Sequence, residues 1–254
     1  MADAARRIDI IDTAPRFVQS DAIALNNRFR GVDTAEMLAT LFSEKRLGRT
    51  AIVSSFGAES AVLLHLIAQF DPSMPVLLVD TLKLFPETLA YRDALVARLG
   101  LTDVRSLQPD AAVLAAKDES GLRWSYDPDG CCAIRKVEPL ERALADFDVS
   151  ISGRKGFQSA TRDGLPRFEI DGDRLKINPL ANWAKADLDA YFDAHDLPHH
   201  PLEAEGYPSI GCQPCTSRVQ PGEDPRAGRW RGWDKVECGI HSPVPDGEAD
   251  QPAF

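Results

Sequence analysis

Four of the five cysteines in this 254-residue chain occur as two close pairs, Cys131 with Cys132 and Cys212 with Cys215. Adjacent cysteines rarely bond to each other because the eight-membered ring strains the peptide. A vicinal pair and a Cys-x-x-Cys pair can instead converge as four thiolates around one metal centre. Four sulfur ligands suit zinc or a 4Fe-4S cluster, and the spacing does not choose between them. The alternative is that the four are small buried apolar side chains.

The segment that follows the vicinal pair, CCAIRKVEPLERALADF, is predicted to be helical after residues 127–130. Cys131 and Cys132 would then lie at the positive N-terminus of a helix, which favours their ionised form. Lys136 follows Cys132 by four residues and would share its face of the helix, so we expect a cation beside the metal centre. The alternative is a lysine on the solvated surface.

The fifth cysteine, Cys238, lies in the sequence Glu-Cys-Gly-Ile-His at 237–241. Cysteine is a strong nucleophile once ionised, and nearby cations lower the pKa of a thiol. The residues expected to do so are His241 and a cluster of three arginines, Arg226, Arg229 and Arg231. We therefore predict that Cys238 is catalytic, against the alternative that it is an incidental exposed cysteine.

The segment 54–60, Ser-Ser-Phe-Gly-Ala-Glu-Ser, lies between a predicted strand and a predicted helix. Backbone N–H groups at such a turn can hold a phosphate on the helix N-terminus. The segment lacks the lysine of the GxxxxGK[ST] loop and resembles the PP-loop of the adenosine nucleotide alpha-hydrolase group, with Glu59 in place of the usual Asp. The competing interpretation is a turn of small residues. The residues predicted to contact substrate here are Ser54, Ser55, Gly57 and Ser60.

Alternating strands and helices must position these residues. A strand at 50–56 and a helix after it are followed by a strand at 75–80 and a helix with Pro86 near its start and Gly100 at its end. Further strands are predicted at 102–107 and 147–152, and a hairpin around Asp171-Gly172. We predict an α/β fold, a parallel sheet with flanking helices.

The chain is predicted to divide into three parts. Residues 1–46 form a helical lead-in, whose second helix is capped by Asp33 or Thr34, and residues 47–215 form the α/β domain with the metal ligands. Residues 216–254 form a mobile C-terminal segment that carries Cys238. From about Pro198 onward the chain is rich in Pro, Gly and charge and is predicted to be irregular. Long irregular segments are usually functional or disordered, and only the end after His241 is predicted to be disordered.

The bulk properties exclude some classes of partner. A formal net charge of −10 argues against binding nucleic acid, which depends on Lys and Arg. The N-terminus has no apolar signal segment and the longest apolar runs are far shorter than a membrane span, so we expect no membrane association and a cytoplasmic protein. In a reducing compartment an odd number of cysteines indicates metal ligands or a reactive thiol.

Taken together, the motifs resemble those of the assimilatory adenylyl-sulfate (APS) reductases, thioredoxin-dependent enzymes with a PP-loop fold and a 4Fe-4S cluster. The resemblance runs from about Ser54 to His241. The motifs that carry it, in the family's order, are SSFGAES, VDTLKLFPET, CCAIRKVEPL, SGRKGFQSATR, NPLANW, GYPSIGCQPCT, EDPRAGRW and ECGIH.

The resemblance, and not the spacing, selects iron over zinc. It implies that the paired cysteines hold one 4Fe-4S cluster per chain, that Cys238 is the nucleophile and that Lys136 links cluster and substrate. The implied substrate contacts, besides the 54–60 turn and Lys136, are Asp80, Thr81, Arg154, Arg162, Arg226, Arg229 and His241. The chain departs from the family at Glu59 and at Leu82, which replaces a glycine of the family's Leu-Asp-Thr-Gly stretch.

The implied reaction is an attack of the Cys238 thiolate on the sulfur of APS, with AMP as the leaving group. Thioredoxin or glutaredoxin then releases sulfite from the S-sulfocysteine, which requires the segment with Cys238 to close over the substrate and swing out again. The cluster need not change its redox state in this scheme.

Three alternatives compete with this interpretation. A 3′-phosphoadenylyl-sulfate (PAPS) reductase or dual-specificity enzyme would use the same chemistry, but that branch typically lacks the four ligand cysteines. An ATP-using PP-loop enzyme of tRNA thiolation is disfavoured by Glu59, the acidic charge and the ECGIH motif. A zinc-stabilised binding module would leave Cys238 without a role. The sequence leaves open whether the protein is a homo-oligomer.

Overall fold

The computed structural model of the protein describes residues 16–158, 162 and 164–240. A single sheet forms its centre. The strands are β1 Thr50–Val53, β2 Val76–Val79, β3 Val104–Leu107, β4 Val149–Ser152, β5 Phe168–Asp171 and β6 Arg174–Ile177. They are arranged in the order β3-β2-β1-β4-β6-β5.

The predicted parallel sheet is confirmed, with one antiparallel strand at its edge. Every neighbouring pair runs parallel except β5 and β6, which form the hairpin predicted around Asp171-Gly172. Gly172 has a φ of 60°, the left-handed backbone that a two-residue hairpin turn requires. β1 ends at Val53, before the predicted end at 56, because the chain turns sharply at Phe56, which has a φ of 48°.

Helices cover both faces of the sheet. They are α1 Gln19–Arg28, α2 Thr34–Ser43, α3 Ser60–Ala68, α4 Pro86–Leu99, α5 Ala111–Lys117, α6 Pro128–Cys132, α7 Glu138–Leu144 and α8 Lys185–His195. A π-helical turn, Ala133–Val137, joins α6 to α7 without a break. Such turns often occur at functional sites, and this one carries Lys136.

The predicted helix boundaries have local causes. The Asp33 carboxylate accepts hydrogen bonds from the N–H groups of Ala35 (2.8 Å) and Glu36 (3.4 Å), so it caps α2 as predicted. Pro86 is the first residue of α4, and Gly100 ends that helix in the left-handed conformation, with a φ of 66°.

The sheet contributes to two core clusters because alternate side chains of each strand point to opposite faces of the sheet. Ile52 and Leu78 belong to the larger cluster, which also includes apolar residues of α1 to α4 and α8. Ala51 and Leu77 belong to a smaller cluster with Leu140 and Leu144 of α7. Helices α1 and α2, which belong to the predicted lead-in, therefore pack into the main core.

The C-terminal part is irregular as predicted. From Pro198 to Ile240 it contains only short 3₁₀ turns, such as Gln213–Cys215, and isolated bridges. A bridge from Leu84 to Cys212 joins this part to the loop between β2 and α4. A second bridge, from Thr216 to Arg229, joins two stretches within it. The division into three parts stays a prediction, and the predicted disordered end, 242–254, lies outside the described residues.

The strand order determines where a ligand can bind. From β1 the chain runs outward to β2 and β3, and it then returns to the other side of β1 as β4. The connections therefore diverge above the carboxyl ends of β1 and β4, and ligands of open α/β sheets bind in such a crevice. In the part of the chain that the structure describes, none of the helices is long and apolar enough to span a bilayer.

Candidate active site

A cavity of about 440 Å³ lies at the carboxyl ends of β1 and β4, a volume typical of small-molecule sites. The turn after β1 lines one side of it, and the loop after β4 lines another. The cavity-lining residues among those predicted to bind substrate are Ser54, Ser55, Gly57, Ser60, Thr81, Lys136, Arg154, Arg162, Arg226 and Arg229. The predicted nucleophile, Cys238, lines the same cavity.

The turn after β1 has a strained backbone. Phe56 adopts a φ of 48° with its ring fully buried, and its N–H donates to the Ser54 hydroxyl (3.2 Å). A left-handed conformation at a bulky residue persists only where the surroundings enforce it, and it marks many binding sites. The turn leads into the N-terminus of α3 at Ser60, where backbone N–H groups favour an anion.

Two cations, a buried lysine and a half-buried arginine, line the cavity with Cys238. Lys136 is only 9% exposed, so the alternative of a solvated surface lysine is excluded. The Arg229 guanidinium lies over the Trp230 ring at 4.4 Å, and its buried Nε has no hydrogen-bond partner. Among the described residues neither cation forms a salt bridge with a carboxylate. Cations that are buried or half-buried and have no carboxylate partner make this end of the cavity a site for an anion.

These cations act on the Cys238 thiol. Burial alone would raise its pKa, but Lys136, a hydrogen bond from the Ile240 N–H and Arg229 hold the pKa below the usual value for cysteine. A lowered pKa was expected from the sequence, although Lys136 was not among its expected causes. The sequence separation of Lys136 from Cys238 hid that contact, because only the fold brings the π-helical turn to the C-terminal segment.

The expectation for Arg231 is wrong. Its guanidinium donates to the Glu223 carboxylate (2.9 Å) on the exposed side of the C-terminal segment, and it does not line the cavity. Irregular backbone sends neighbouring side chains in different directions, so the three arginines do not act as one cluster. His241 lies outside the described residues.

The four paired cysteines line one small second cavity beside the first. Lys136 and Cys212 line both cavities, so the two sites share a wall. The other residues around the thiols are Lys83, Trp124, Pro128, Arg135, Pro214 and Trp230. This set combines four sulfurs, three cations that oppose thiolate charge, and an apolar shell. Within the described residues, no group of three or more His, Cys, Asp or Glu is arranged to hold a single metal ion.

The predicted placement of Cys131 and Cys132 at a helix N-terminus needs a correction. α6 begins at Pro128 and is capped by Asp127, whose carboxylate accepts from the Gly130 N–H (2.8 Å), so the cysteines follow at the end of the first turn. Both thiols are 7% exposed. Burial raises the pKa of each to about 11, so the position does not by itself favour the ionised form. A bound metal would have to supply the charge that stabilises these thiolates.

The Val-Asp-Thr-Leu stretch begins with the last residue of β2, and its Asp80 and Thr81 have different surroundings. Asp80 accepts from the Leu82 N–H (3.0 Å) and the Gln108 side chain (3.0 Å), and it does not line the cavity. Thr81 is buried and lines the cavity, with its hydroxyl 3.2 Å from the Cys212 sulfur. The structure therefore places Thr81 between the cavity and a predicted metal ligand.

Arg135 is a buried cation that the sequence interpretation missed. Two of its nitrogens donate to one oxygen of the buried Asp118 (3.0 and 2.6 Å), and a third donates to the Thr81 carbonyl (2.9 Å). It lines the four-cysteine cavity next to Cys131. Its position immediately before Lys136 in the CCAIRK motif was the available signal.

The acidic residue of the PP-loop-like turn is paired. The Glu59 carboxylate accepts from the buried Lys155 ammonium (2.9 Å) and from the Gln158 side chain (2.7 Å). Both donors belong to the loop after β4. Glu59 thus connects the turn after β1 to the loop after β4. This glutamate, which stands where the PP-loop usually has aspartate, makes the contacts with Lys155 and Gln158.

The arginine loop and the C-terminal segment meet at Glu237. The Arg162 guanidinium donates to both oxygens of Glu237 (2.9 and 3.1 Å), and Arg226 donates to the same carboxylate (3.3 Å). Arg154 also lines the cavity, and it donates to Glu169 (2.8 Å). Glu237 was not among the predicted site residues, although it immediately precedes Cys238 in the ECGIH motif.

Comparisons with known proteins agree with the family resemblance. Residues 49–218 match the model of the phosphoadenosine phosphosulfate reductase domain. A Mesorhizobium japonicum protein named adenosine 5′-phosphosulfate reductase is 49% identical over 236 residues, which cover 93% of each chain. A Gloeobacter violaceus protein named phosphoadenosine 5′-phosphosulfate reductase is 42% identical over 199 residues, 76% of this chain and 83% of that one.

A solved structure is similar over most of the described fold. It is the crystal structure of phosphoadenylyl-sulfate reductase from Candida auris in a phosphate complex, with 25% sequence identity and a TM-score of 0.66. The match covers 80% of this chain and 98% of that chain. The predicted fold class is therefore confirmed.

Proposed function

The chain belongs to the phosphoadenosine phosphosulfate reductase domain family, and from this premise we propose that it is an adenylyl-sulfate reductase of sulfate assimilation. It reduces APS to sulfite and AMP. The observation that carries the proposal is Cys238 with a lowered pKa in a cavity that two cations without carboxylate partners also line, the buried Lys136 and the half-buried Arg229.

The Cys238 thiolate attacks the sulfur atom of APS. A sulfur–sulfur bond forms, the bond from that sulfur to the bridging phosphate oxygen breaks, and its electron pair leaves with AMP. The enzyme retains the SO₃ group as S-sulfocysteine. A dithiol then supplies two electrons: its thiolate attacks the Cys238 sulfur, sulfite leaves, and the mixed disulfide resolves to free Cys238 and an oxidised disulfide.

The cations make this attack possible. A thiolate and a phosphosulfate repel each other unless positive groups neutralise the substrate, and Lys136 and Arg229 line the same cavity as Cys238. The turn 54–60 at the N-terminus of α3 offers N–H groups to the phosphate. Arg154, Arg162 and Arg226 remain proposed substrate contacts at the cavity wall.

The four paired cysteines fit one 4Fe-4S cluster. They line one cavity, cations oppose their charge and an apolar shell limits access of water. Cys131, Cys132, Cys212 and Cys215 would hold the cluster, which supplies a fixed local charge next to Lys136 when bound. The residues between the two cavities keep Lys136 buried between the thiols and the substrate cavity.

The proposed reductant is thioredoxin or glutaredoxin in the cytoplasm. Either is a protein and cannot enter a cavity of about 440 Å³, so the segment that carries Cys238 must expose the S-sulfocysteine after the attack.

A comparison of two substrates tests the proposed function. Sulfite release is measured with thioredoxin as reductant, from APS and from its 3′-phosphorylated form. We expect release from APS and much weaker release from PAPS. No sulfite from either would contradict the proposal.

The second candidate is a PAPS reductase, which the name of the Gloeobacter violaceus relative favours. It would give the opposite preference in the same assay. Comparable rates would indicate a dual-specificity enzyme.

A further inference from the structure

We infer that Glu237 is a positioning residue: Arg162 and Arg226 bind its carboxylate and thereby hold the adjacent Cys238 at the substrate cavity. The inference rests on the proposed function of Cys238 as the nucleophile. It gives Arg162 and Arg226, which are also proposed substrate contacts, a further role that acts through Glu237.

The contacts of Arg162 support this role. Its Nε and Nη2 donate to the two oxygens of Glu237 (2.9 and 3.1 Å), and its Nη1 donates to Gln158 (2.7 Å). All three guanidinium nitrogens are therefore engaged with protein acceptors. The side chain is only 9% exposed, so it is held in one orientation. Two parallel hydrogen bonds between Arg and a carboxylate define orientation as well as distance.

Arg226 binds the same segment through a second set of contacts. Its Nη2 donates to the Val236 carbonyl (2.8 Å) and to the Glu237 carboxylate (3.3 Å). Backbone and side chain immediately before Cys238 are thus both bound. This pair of contacts restrains the chain at the residue next to the thiol.

The chain is also restrained just beyond Cys238. Gly239 adopts a φ of 84°, which turns the backbone, and Ile240 packs against the smaller core cluster beside Leu140 and Leu144. Cys238 lies between this apolar contact and the ionic contact of Glu237. Two flanking attachments restrict the thiol to a small region of the cavity.

The charge distribution shows why Glu237 positions the thiol and does not merely occupy a substrate site. Lys136 and Arg229 have no carboxylate partner among the described residues and line the cavity with Cys238, so they can receive the anion while Glu237 stays in place. If Glu237 were only a temporary occupant of the anion site, substrate would have to displace it from both arginines.

The variant Glu237→Gln tests the inference by single-turnover formation of S-sulfocysteine from APS without reductant, followed by mass spectrometry. Removing the negative charge weakens the bidentate contact, and we expect the rate of adduct formation to fall about tenfold, whereas APS affinity stays within about twofold. Glu223→Gln is the matched control. It removes the equivalent contact to Arg231 on the exposed side of the same segment, and its rate should equal that of the wild type.

Hydrogen exchange of the segment gives a readout that does not depend on activity. Amides of residues 232–240 should exchange faster in Glu237→Gln than in the wild type or in Glu223→Gln. Melting temperature and iron content show whether the variant folds. If it does not fold, Arg162→Lys supplies the test, because lysine cannot reproduce the bidentate contact.

A double-mutant cycle separates the two roles of Arg162. If it acts through Glu237, the effects of Glu237→Gln and Arg162→Lys on the adduct rate should be strongly non-additive. Fully additive effects would overturn the inference, since Arg162 would then act independently of Glu237. A faster rate in Glu237→Gln would also overturn it, because the thiol would then react better without the contact. Tighter APS binding in that variant would overturn it too, because Glu237 would then compete with the substrate.

The proposed function and the inference fail in different ways. If wild-type protein forms no adduct on Cys238, the proposed function fails. If the wild type forms it and Glu237→Gln forms it at the same rate with unchanged exchange, only the inference fails.

Discussion

At the scale of single residues, the proposed site depends on the contrast between Cys238 and the adjacent pair Cys131 and Cys132. Burial raises the pKa of Cys131 and Cys132 to about 11, whereas Lys136, the Ile240 N–H and Arg229 outweigh burial at Cys238 and lower its pKa. Cysteines in different surroundings therefore suit two different roles, nucleophile and metal ligand. A thiol with a lowered pKa provides the nucleophile, and buried thiols become thiolates when a metal binds them.

Replacing Cys238 by Ser should abolish sulfite release and leave substrate binding and iron content unchanged. The serine hydroxyl has too high a pKa to be ionised by the same cations. The measurement is sulfite release from APS beside mass spectrometry of the wild type, which should gain one SO₃ on the peptide containing Cys238. Turnover in the serine variant, or an adduct on another cysteine, would contradict the assignment.

Replacing Lys136 by Ala should lower kcat/KM for APS about a hundredfold, because a buried cation beside the attacking thiol loses its charge. The matched control is Lys117→Ala, which removes an exposed lysine from the end of α5. Kinetics are measured beside thermal melting. An activity loss that only parallels a loss of folded protein would assign Lys136 a structural role.

At the scale of elements, the loops at the carboxyl ends of the strands are joined by paired polar side chains. Glu59 connects the turn after β1 to the loop after β4, and Glu237 connects that loop to the C-terminal segment. The connection from α8 to the cysteine-bearing segment is tied to α4 in a similar way. There the buried His200 Nε2 lies 3.1 Å from the Thr88 hydroxyl, and its Nδ1 accepts from the Leu202 N–H (3.2 Å).

His200 should make the protein less stable in acid. Burial lowers its pKa to about 4, so the folded protein favours the neutral ring. The stability is fully present above about pH 6.5 and is lost as the pH falls toward 4, because the unfolded chain binds the proton first. Between pH 7 and pH 5 we expect urea unfolding to show a loss of about 1 to 2 kcal/mol that is absent in His200→Gln.

The control for this effect is His199→Gln, which removes the exposed neighbouring histidine and should retain the acid-dependent loss. An equal loss in His200→Gln and wild type would show that other groups cause it.

At the scale of the whole molecule, the fold places an excess of positive side chains around the main cavity, although the chain as a whole is negatively charged. The net charge is −10, yet seven Lys and Arg side chains against four carboxylates line the main cavity. The overall charge makes long polyanions unsuitable partners, and the cavity suits a small anion.

The four-cysteine cavity joins α6 to a segment about eighty residues later in the chain, and a cluster there would restrain a long loop.

Anaerobically purified protein should contain about four irons per chain and be brown. Cys212→Ser should lose most of this iron and melt at a lower temperature, since a ligand between two distant segments is removed. Cys238→Ser is the control and should keep the iron. Stoichiometric zinc without iron would contradict the proposed cluster.

The sequence by itself determined the elements and most members of the site. Hydrophobic periodicity and end signals such as Asp33, Pro86 and Gly100 predict the helices, because these depend on local geometry. The paired cysteines, the 54–60 turn and Cys238 were recognisable since each motif is contiguous. Together they indicated the family that the comparisons confirm.

Only the tertiary structure decided how these parts face one another. It buried Lys136 between two cavities, directed Arg231 to solvent, kept Asp80 out of the cavity and placed Glu237 between Arg162 and Arg226. Such contacts join residues far apart in the chain, and irregular backbone has no repeat from which side-chain direction can be predicted. Burial, which raises the pKa values of Cys131 and Cys132, is a property of the whole packed molecule.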